Sequence, residues 1–228
     1  MSSNYYESWT YTLGASTTNS IFSNLSVLKT PTSALEGVEL LKNPIYAEPT
    51  SNSYANHNFR KIVITLAAPA VEDEEYIIRG YIYNGTIVEE SVFILAGSST
   101  ANSSYYYSEL LSIKAFPNSV DWTGISFGIQ GGYTPWVLSN SAKTTHMAFF
   151  QPALAATFTV YGRISQLMNK DVNALKLREF PIDANLNAIT ANPAYPIYNQ
   201  LGIGMLRGFV ADGSTGYVTW QAGLQMWL

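Results

Sequence analysis

Cysteine is absent from the 228-residue chain. That excludes disulfide frameworks, thiolate metal centres and cysteine nucleophiles, and it leaves the redox compartment unread. Charge is scarce too. Asp, Glu, Lys and Arg make up 12% of the residues, about half the usual share for a soluble domain. With 12 Lys and Arg against 16 Asp and Glu, the formal charge is −4. No basic face can dominate, which argues against electrostatic binding of nucleic acid. Histidine occurs twice, at His57 and His146, without HxH or HExxH spacing. Neither is therefore expected to ligate a metal. No apolar run reaches the ~18 residues of a membrane span; the most apolar stretch, 147–161, is broken by Gln151 and Pro152. The first basic residue is Lys29, so a secretory leader with its basic start is not expected.

Catalytic signatures are missing as well. There is no GxSxG elbow, and no pair of carboxylates is singled out by spacing for glycoside hydrolysis. Gly128, Gly131 and Gly132 do not precede a helical pattern and read as strand and turn glycines, not a phosphate loop. The acidic run Glu72–Glu75 lacks the alternating Asp/Asn/Gly ligands of a calcium loop, so it reads as a solvated loop before a strand. The expectation is a non-enzymatic chain with no cofactor, no metal and no membrane.

What is present is apolar and aromatic. Hydrophobic residues make up 47%, enough for a real core, and the 16 Tyr are conspicuous. Trp9, Tyr11 and Leu13 alternate with Thr10 and Thr12, as in one strand. Ser33-Ala34-Leu35-Glu36 is a capping-box pattern that allows a short helix. Pro31, Pro44 and Pro49 punctuate this part, and residues 51–58 are polar. Residues 1–55 therefore read as an extended N-terminal arm, with a β-sandwich over 56–228, divisible into 56–140 and 141–228.

From Phe59 the pattern is β. Residues 59–66 and 76–83 read as strands, and Asn84-Gly85 before 86–95 is the strongest local hairpin signal, because both residues tolerate positive φ. Residues 97–102 read as a polar loop, and a strand is expected within 105–116, centred on 110–115. In the stretch 122–129, Ile125, Phe127 and Ile129 form the expected inward set. Gly131-Gly132 reads as a turn. Residues 156–164 read as a strand, 167–180 as helix or strand, and 185–198 as loop. A final strand pair is expected at 203–211 and 217–226. Short strands at regular intervals with turn residues between them predict an all-β antiparallel sandwich or jelly roll.

The aromatic residues supply the candidate contact set. Tyr and Trp bury large area at low entropy cost and are enriched at interfaces. Tyr105, Tyr106 and Tyr107 place successive rings on opposite faces of an extended segment. Tyr5, Tyr6 and Trp9 mark the leading segment, Trp136 a short Pro-Trp-Val-Leu stretch, and Trp227 the chain end. These eight are candidate subunit-contact residues.

The order of segments between Phe59 and Asn140 carries a resemblance. It reads FRKIVITLAAP, EYIIRGYIYNGTIVEESVFILAGSST, YYYSELLSIKAF, WTGISFGIQGG and TPWVLSN. This resembles small virion proteins of tailed bacteriophages. In those proteins a Thr-Gly-Thr strand, an Asn-Gly turn, a Thr-Glu position, a Ser-Ile strand, a Gly-x-Ile-Ser-Val-Gly strand and a Pro-Trp segment follow one another. Here Arg79-Gly80-Tyr81 stands in place of Thr-Gly-Thr, and Gly216–Gly223 is similar to the closing strand. The resemblance implies a jelly-roll-like sandwich acting in the virion as a capsid decoration or cement protein. A neck, collar or tail component is the alternative. Other virion proteins, including the major capsid protein, and further copies of the chain are the implied partners; no catalytic residue is implied. A carbohydrate- or receptor-binding sandwich using Tyr and Trp as platforms is the reading from a different class.

Overall fold

The structure is a computed structural model and describes residues 5–28, 30, 35–41, 43–48, 58–82, 85–116, 122–135, 137–138, 145–150, 158–163, 180–183, 195–199, 205–213 and 218–226. It is almost wholly antiparallel β-sheet; the described part of the expected capping-box helix, Leu35–Glu36, is a fragment of a helical turn. The strands are β1 (Tyr5–Leu13), β2 (Thr17–Val27), β3 (Val38–Glu39), β4 (Ile45–Tyr46), β5 (Phe59–Thr65), β6 (Glu74–Ile82), β7 (Ile87–Ile94) and β8 (Thr100–Phe116). They continue as β9 (Trp122–Tyr133), β10 (Val137–Leu138), β11 (Thr145–Phe150), β12 (Phe158–Arg163), β13 (Phe180–Asp183), β14 (Tyr195–Asn199), β15 (Met205–Val210) and β16 (Val218–Met226).

The chain divides into two compact units: residues 1–15 together with 131–228, and residues 16–130. The second is an insertion within the first. Residues 1–55, expected as an arm, supply β1 to one unit and β2, β3 and β4 to the other. The Trp9–Leu13 alternation has a partner distant in sequence, because β1 pairs with β16 from Tyr5↔Met226 to Leu13↔Val218. Val27, Leu41 and Ala47 are buried in the core of the inserted unit.

In the inserted unit the pairing order is β2-β9-β5-β8-β6-β7, with β3 and β4 also on β8. The β6–β7 hairpin forms where Asn-Gly predicts it. Gly85 has φ +75°, and Ile82 N donates to Thr86 O at 2.9 Å. Inward residues follow the two-residue period: Tyr76 and Ile78 on β6, Val92 and Ile94 on β7, Ile125, Phe127 and Ile129 on β9. The sheet curls so that β9 faces β6. Phe127 meets Tyr76 edge-on at 5.8 Å and Phe22 edge-on at 5.9 Å. The two loops at one end are tied together: Ala70 N donates to Ser98 O and Gly97 N to Ala70 O, each at 2.8 Å.

β8 organises this unit. It begins at Thr100, not within 105–116, because Thr100 and Asn102 face outward while Ser103 points in; the polar composition marks the exposed side of a strand, not a loop. One edge of β8 pairs with β6 from Phe116 to Tyr107. Its other edge is covered in turn by Val38–Leu40, Ile45–Ala47 and Arg60–Thr65, which run antiparallel to it from Ala115 down to Thr100. These pieces amount to one strand interrupted by two excursions. The second excursion is closed at its base by buried polar groups: Asn58 Nδ2 donates to Glu48 Oε2 at 2.7 Å, and Arg60 pairs with Glu48 Oε1 at 3.4 Å.

The other unit holds two sheets. One has the order β1-β16-β11-β14. The second has the order β13-β12-β15, and β15 is flanked on its far side by Gly132–Tyr133 of β9 and then by β10. Thr134 N donates to Gly208 O, and Gly208 N donates back to the Thr134 hydroxyl, each at 2.9 Å, which joins those two pieces into one edge. Gly131-Gly132 lies within β9 and is not a turn. Their φ values of +34° and +148° suit glycine, and a Cβ on Gly131 would collide with the Asp212 carboxylate. The expected final strand pair is also redistributed. β15 and β16 both form, but they belong to different sheets, since the partners of β16 are β1 and β11. Residues 167–179 of the segment expected as helix or strand and 185–194 of the expected loop lie outside the described residues; Tyr195–Asn199 is strand β14.

Candidate interaction surface

The Tyr105–Tyr107 run sits on β8 where the strand bulges. Against the single residue Ile62 between Lys61 and Val63 of β5, β8 has three, Ser103 to Tyr105, between Asn102 and Tyr106. Ser103 fills the bulge: its hydroxyl accepts from Ile62 N at 2.9 Å and donates to Tyr105 O at 2.8 Å. The Glu90 carboxylate on β7 caps the bulge from the other side. It accepts from Ser104 N at 2.9 Å, from the Tyr107 hydroxyl at 2.9 Å and from Tyr105 N at 3.4 Å. Burial, reinforced by Glu90, pushes the Tyr107 hydroxyl far above the ordinary tyrosine value.

The three rings therefore have three fates. Tyr107 is fully buried and belongs to the core, so it has no surface to offer a neighbour. Tyr106 is half-buried, with the Lys61 ammonium 5.3 Å from its ring centroid. Tyr105 is 43% exposed. Tyr5, Tyr6 and Trp9 lie on β1 opposite Met226, Gln225 and Ala222; only their backbone is described. Trp136, Trp227 and His57 lie outside the described residues, and His146 is placed on β11 opposite Gly223 and Tyr198 by its backbone.

An exposed apolar edge was not legible as such in the sequence. β7 ends the pairing order of its unit, and its outward residues include Ile87 and Phe93, with Leu95 just beyond. Phe93 is 51% and Leu95 59% exposed, and Val71 on the neighbouring loop is 79% exposed. An edge strand with outward apolar residues can accept a further strand through main-chain hydrogen bonds. The alternation that reveals it, Val88, Glu90 and Val92 inward against Ile87, Glu89, Ser91 and Phe93 outward, is masked in the sequence by Glu90 on the inward face. Glu90 faces inward because it caps the β8 bulge.

The acidic run expected as a solvated loop is only half loop, because Glu74 and Glu75 are the first residues of β6. Asp73 Oδ1 accepts from Ala96 N at 2.8 Å, Glu75 Oε1 accepts from the Ser91 hydroxyl at 2.7 Å, and Glu74 is buried. Among the described residues no group of three or more His, Asp or Glu side chains is placed to hold a metal ion.

Together these features define an antiparallel all-β protein with a β-domain inserted in it and an exposed apolar sheet edge. No protein-family model matches the chain, and comparison with curated proteins and with solved structures finds no match either.

Proposed function

We propose that this chain is a non-enzymatic structural subunit of a tailed-bacteriophage particle, placed on the head as a decoration or cement protein. The observation that carries the reading is the strand order of the unit formed by 1–15 and 131–228. Counting Gly132–Tyr133 and Val137–Leu138, which both pair with β15, as one, its described strands number eight in chain order; one sheet runs first, eighth, third, sixth and the other second, seventh, fourth, fifth. The chain thus alternates between sheets as in the two Greek keys of a jelly roll, an architecture used by viral shell domains and by lectins. The motif order over 59–140 favours the virion over the lectin. The apolar β7 edge supplies a surface for adjoining subunits, and a surface of few charges can be buried between subunits with little desolvation cost.

The test is to purify particles and count this chain in them by quantitative mass spectrometry and electron-microscopy reconstruction. A copy number on the scale of the shell subunits, with particles lacking it less resistant to heat and low salt, is the expected result. A copy number set by the symmetry of neck or tail rings moves the protein there. Absence from purified particles overturns the reading.

A further inference from the structure

Beside the hairpin end of β6 lies an open groove of about 490 Å³ that nothing described so far uses. Tyr81 on β6 stands directly opposite Glu109 on β8, and Glu109 stands directly opposite Tyr46 on β4. Directly opposed residues share a sheet face with Cβ atoms about 5 Å apart. One row across the sheet therefore reads Tyr, Glu, Tyr. Tyr81 and Glu109 line the groove and are half-buried; Tyr46, the next residue in the row, is 45% exposed and stands outside the groove's lining. Pro44, Phe59 and Leu111 add apolar walls. Among the described residues the Glu109 carboxylate has no hydrogen-bond or ion-pair partner. Arg79, two residues along β6, stands directly opposite Glu89 on β7.

We propose that Tyr81, Glu109 and Tyr46 form a receptor for one cationic side chain, an Arg or Lys, presented by an adjoining protein. The carboxylate provides the charge-assisted hydrogen bond. The backbones that carry the two tyrosines lie about 10 Å apart across two strand spacings, so a cation held at Glu109 stands between the strands that carry them, and cation–π attraction acts over about 6 Å. The apolar walls take the methylene stem, which long basic side chains lay along apolar surface. A sugar fits this lining less well. Besides Glu109 and the two tyrosine hydroxyls, the described hydrogen-bonding side chain here is Ser108, whose hydroxyl already donates to Tyr81 O at 3.3 Å. The inference is independent of the virion reading, since it names a side chain and not a particle.

The experiment titrates the full chain with the peptide Ac-Gly-Arg-Gly-amide and follows the Tyr46 and Tyr81 ring resonances by NMR. Ac-Gly-Gln-Gly-amide and maltotriose serve as parallel probes. Saturable shifts at millimolar arginine peptide, no response to the glutamine peptide, and a loss of affinity of about tenfold in Glu109→Gln are expected, as for removal of a charge-assisted pair. Tyr46→Ala is a second variant on an exposed side chain and is expected to weaken binding severalfold with the melting temperature unchanged. An equal response to the glutamine peptide, an unchanged affinity in Glu109→Gln, or no saturable shift up to about 50 mM peptide, far weaker than any useful site, overturns the proposal. So does saturable binding of maltotriose with the arginine peptide silent, which would make the groove a glycan site.

Discussion

The two flanks of β8 are built in opposite ways. On one flank β6 runs unbroken from Phe116 to Tyr107, adapting only through bulges in β8 at Leu111 and Ser108. On the other, Val38–Leu40, Ile45–Ala47 and Arg60–Thr65 take turns. The continuous flank is held by its ladder and by a close approach at Gly80, where a Cβ would collide with the carbonyl oxygen of Glu109. The interrupted flank needs something more where the chain leaves and returns, and there Glu48, Asn58 and Arg60 are buried together. A strand can be cut into pieces beside a long template if the cut ends bury polar groups that satisfy one another. Tyr107 stands where both flanks meet, opposite Arg60 on one side and Ile82 on the other.

Mutations at these three places separate the two designs. Arg60→Ala removes the guanidinium paired with the buried Glu48 carboxylate and is expected to cost about 3–5 kcal/mol, the scale of breaking a buried ion pair; urea unfolding of the full chain reads it. Gly80→Ala forces β6 away from β8 and is expected to cost about 1–3 kcal/mol, as overpacking does. If Gly80→Ala proves the more damaging of the two, the continuous flank is the weaker one and the contrast is reversed. Tyr107→Phe removes a donor to Glu90 and is expected to cost about 1–2 kcal/mol near neutral pH.

That third variant also has a pH signature. Burial, then Glu90, raises the folded-state pKa of Tyr107, and burial, then Glu74, raises that of Tyr76. Above pH ~10 the unfolded chain releases tyrosine protons that the folded chain keeps. Stability is therefore full below that point and falls as pH rises beyond it. Thermal melts between neutral pH and pH ~11 should show this fall, and Tyr107→Phe should flatten it. The smallest effect is expected on the outer face of the edge strand. Phe93→Ser should change stability by no more than about 0.5 kcal/mol, because Phe93 is exposed on β7. A large loss there would mean that the edge is already covered within the chain.

Legibility followed locality. The Asn84-Gly85 turn and the inward set Ile125, Phe127 and Ile129 could be read because a hairpin and a pleat are decided by neighbours in sequence. β3 and β4, two residues each, leave no periodicity to read; β8 imposes their strand conformation. The N-terminal half of β8 hid behind polar residues that face outward. β15 and β16 were recognisable as strands, but their partners lie far away in sequence, and no local signal says that β16 pairs with β1. The candidate contact set fared by the same rule. Aromatic content drew attention to Tyr105–Tyr107, yet a bulge and one carboxylate decide that Tyr107 is core and Tyr105 surface. Glu109 was not singled out at all, because a lone glutamate acquires meaning only when two other strands bring Tyr46 and Tyr81 to its sides.

Where the inserted unit begins and ends, Thr17 and Ile129 are register partners on β2 and β9. Entry and exit are thus a few ångströms apart, as in a plug with both pins on one side. Such a cassette can be lengthened, trimmed or exchanged for another with adjacent termini while its host keeps its own strand ladder. Diversity among relatives of this chain should accordingly concentrate between residues 16 and 130, with the two junctions as the conserved seam.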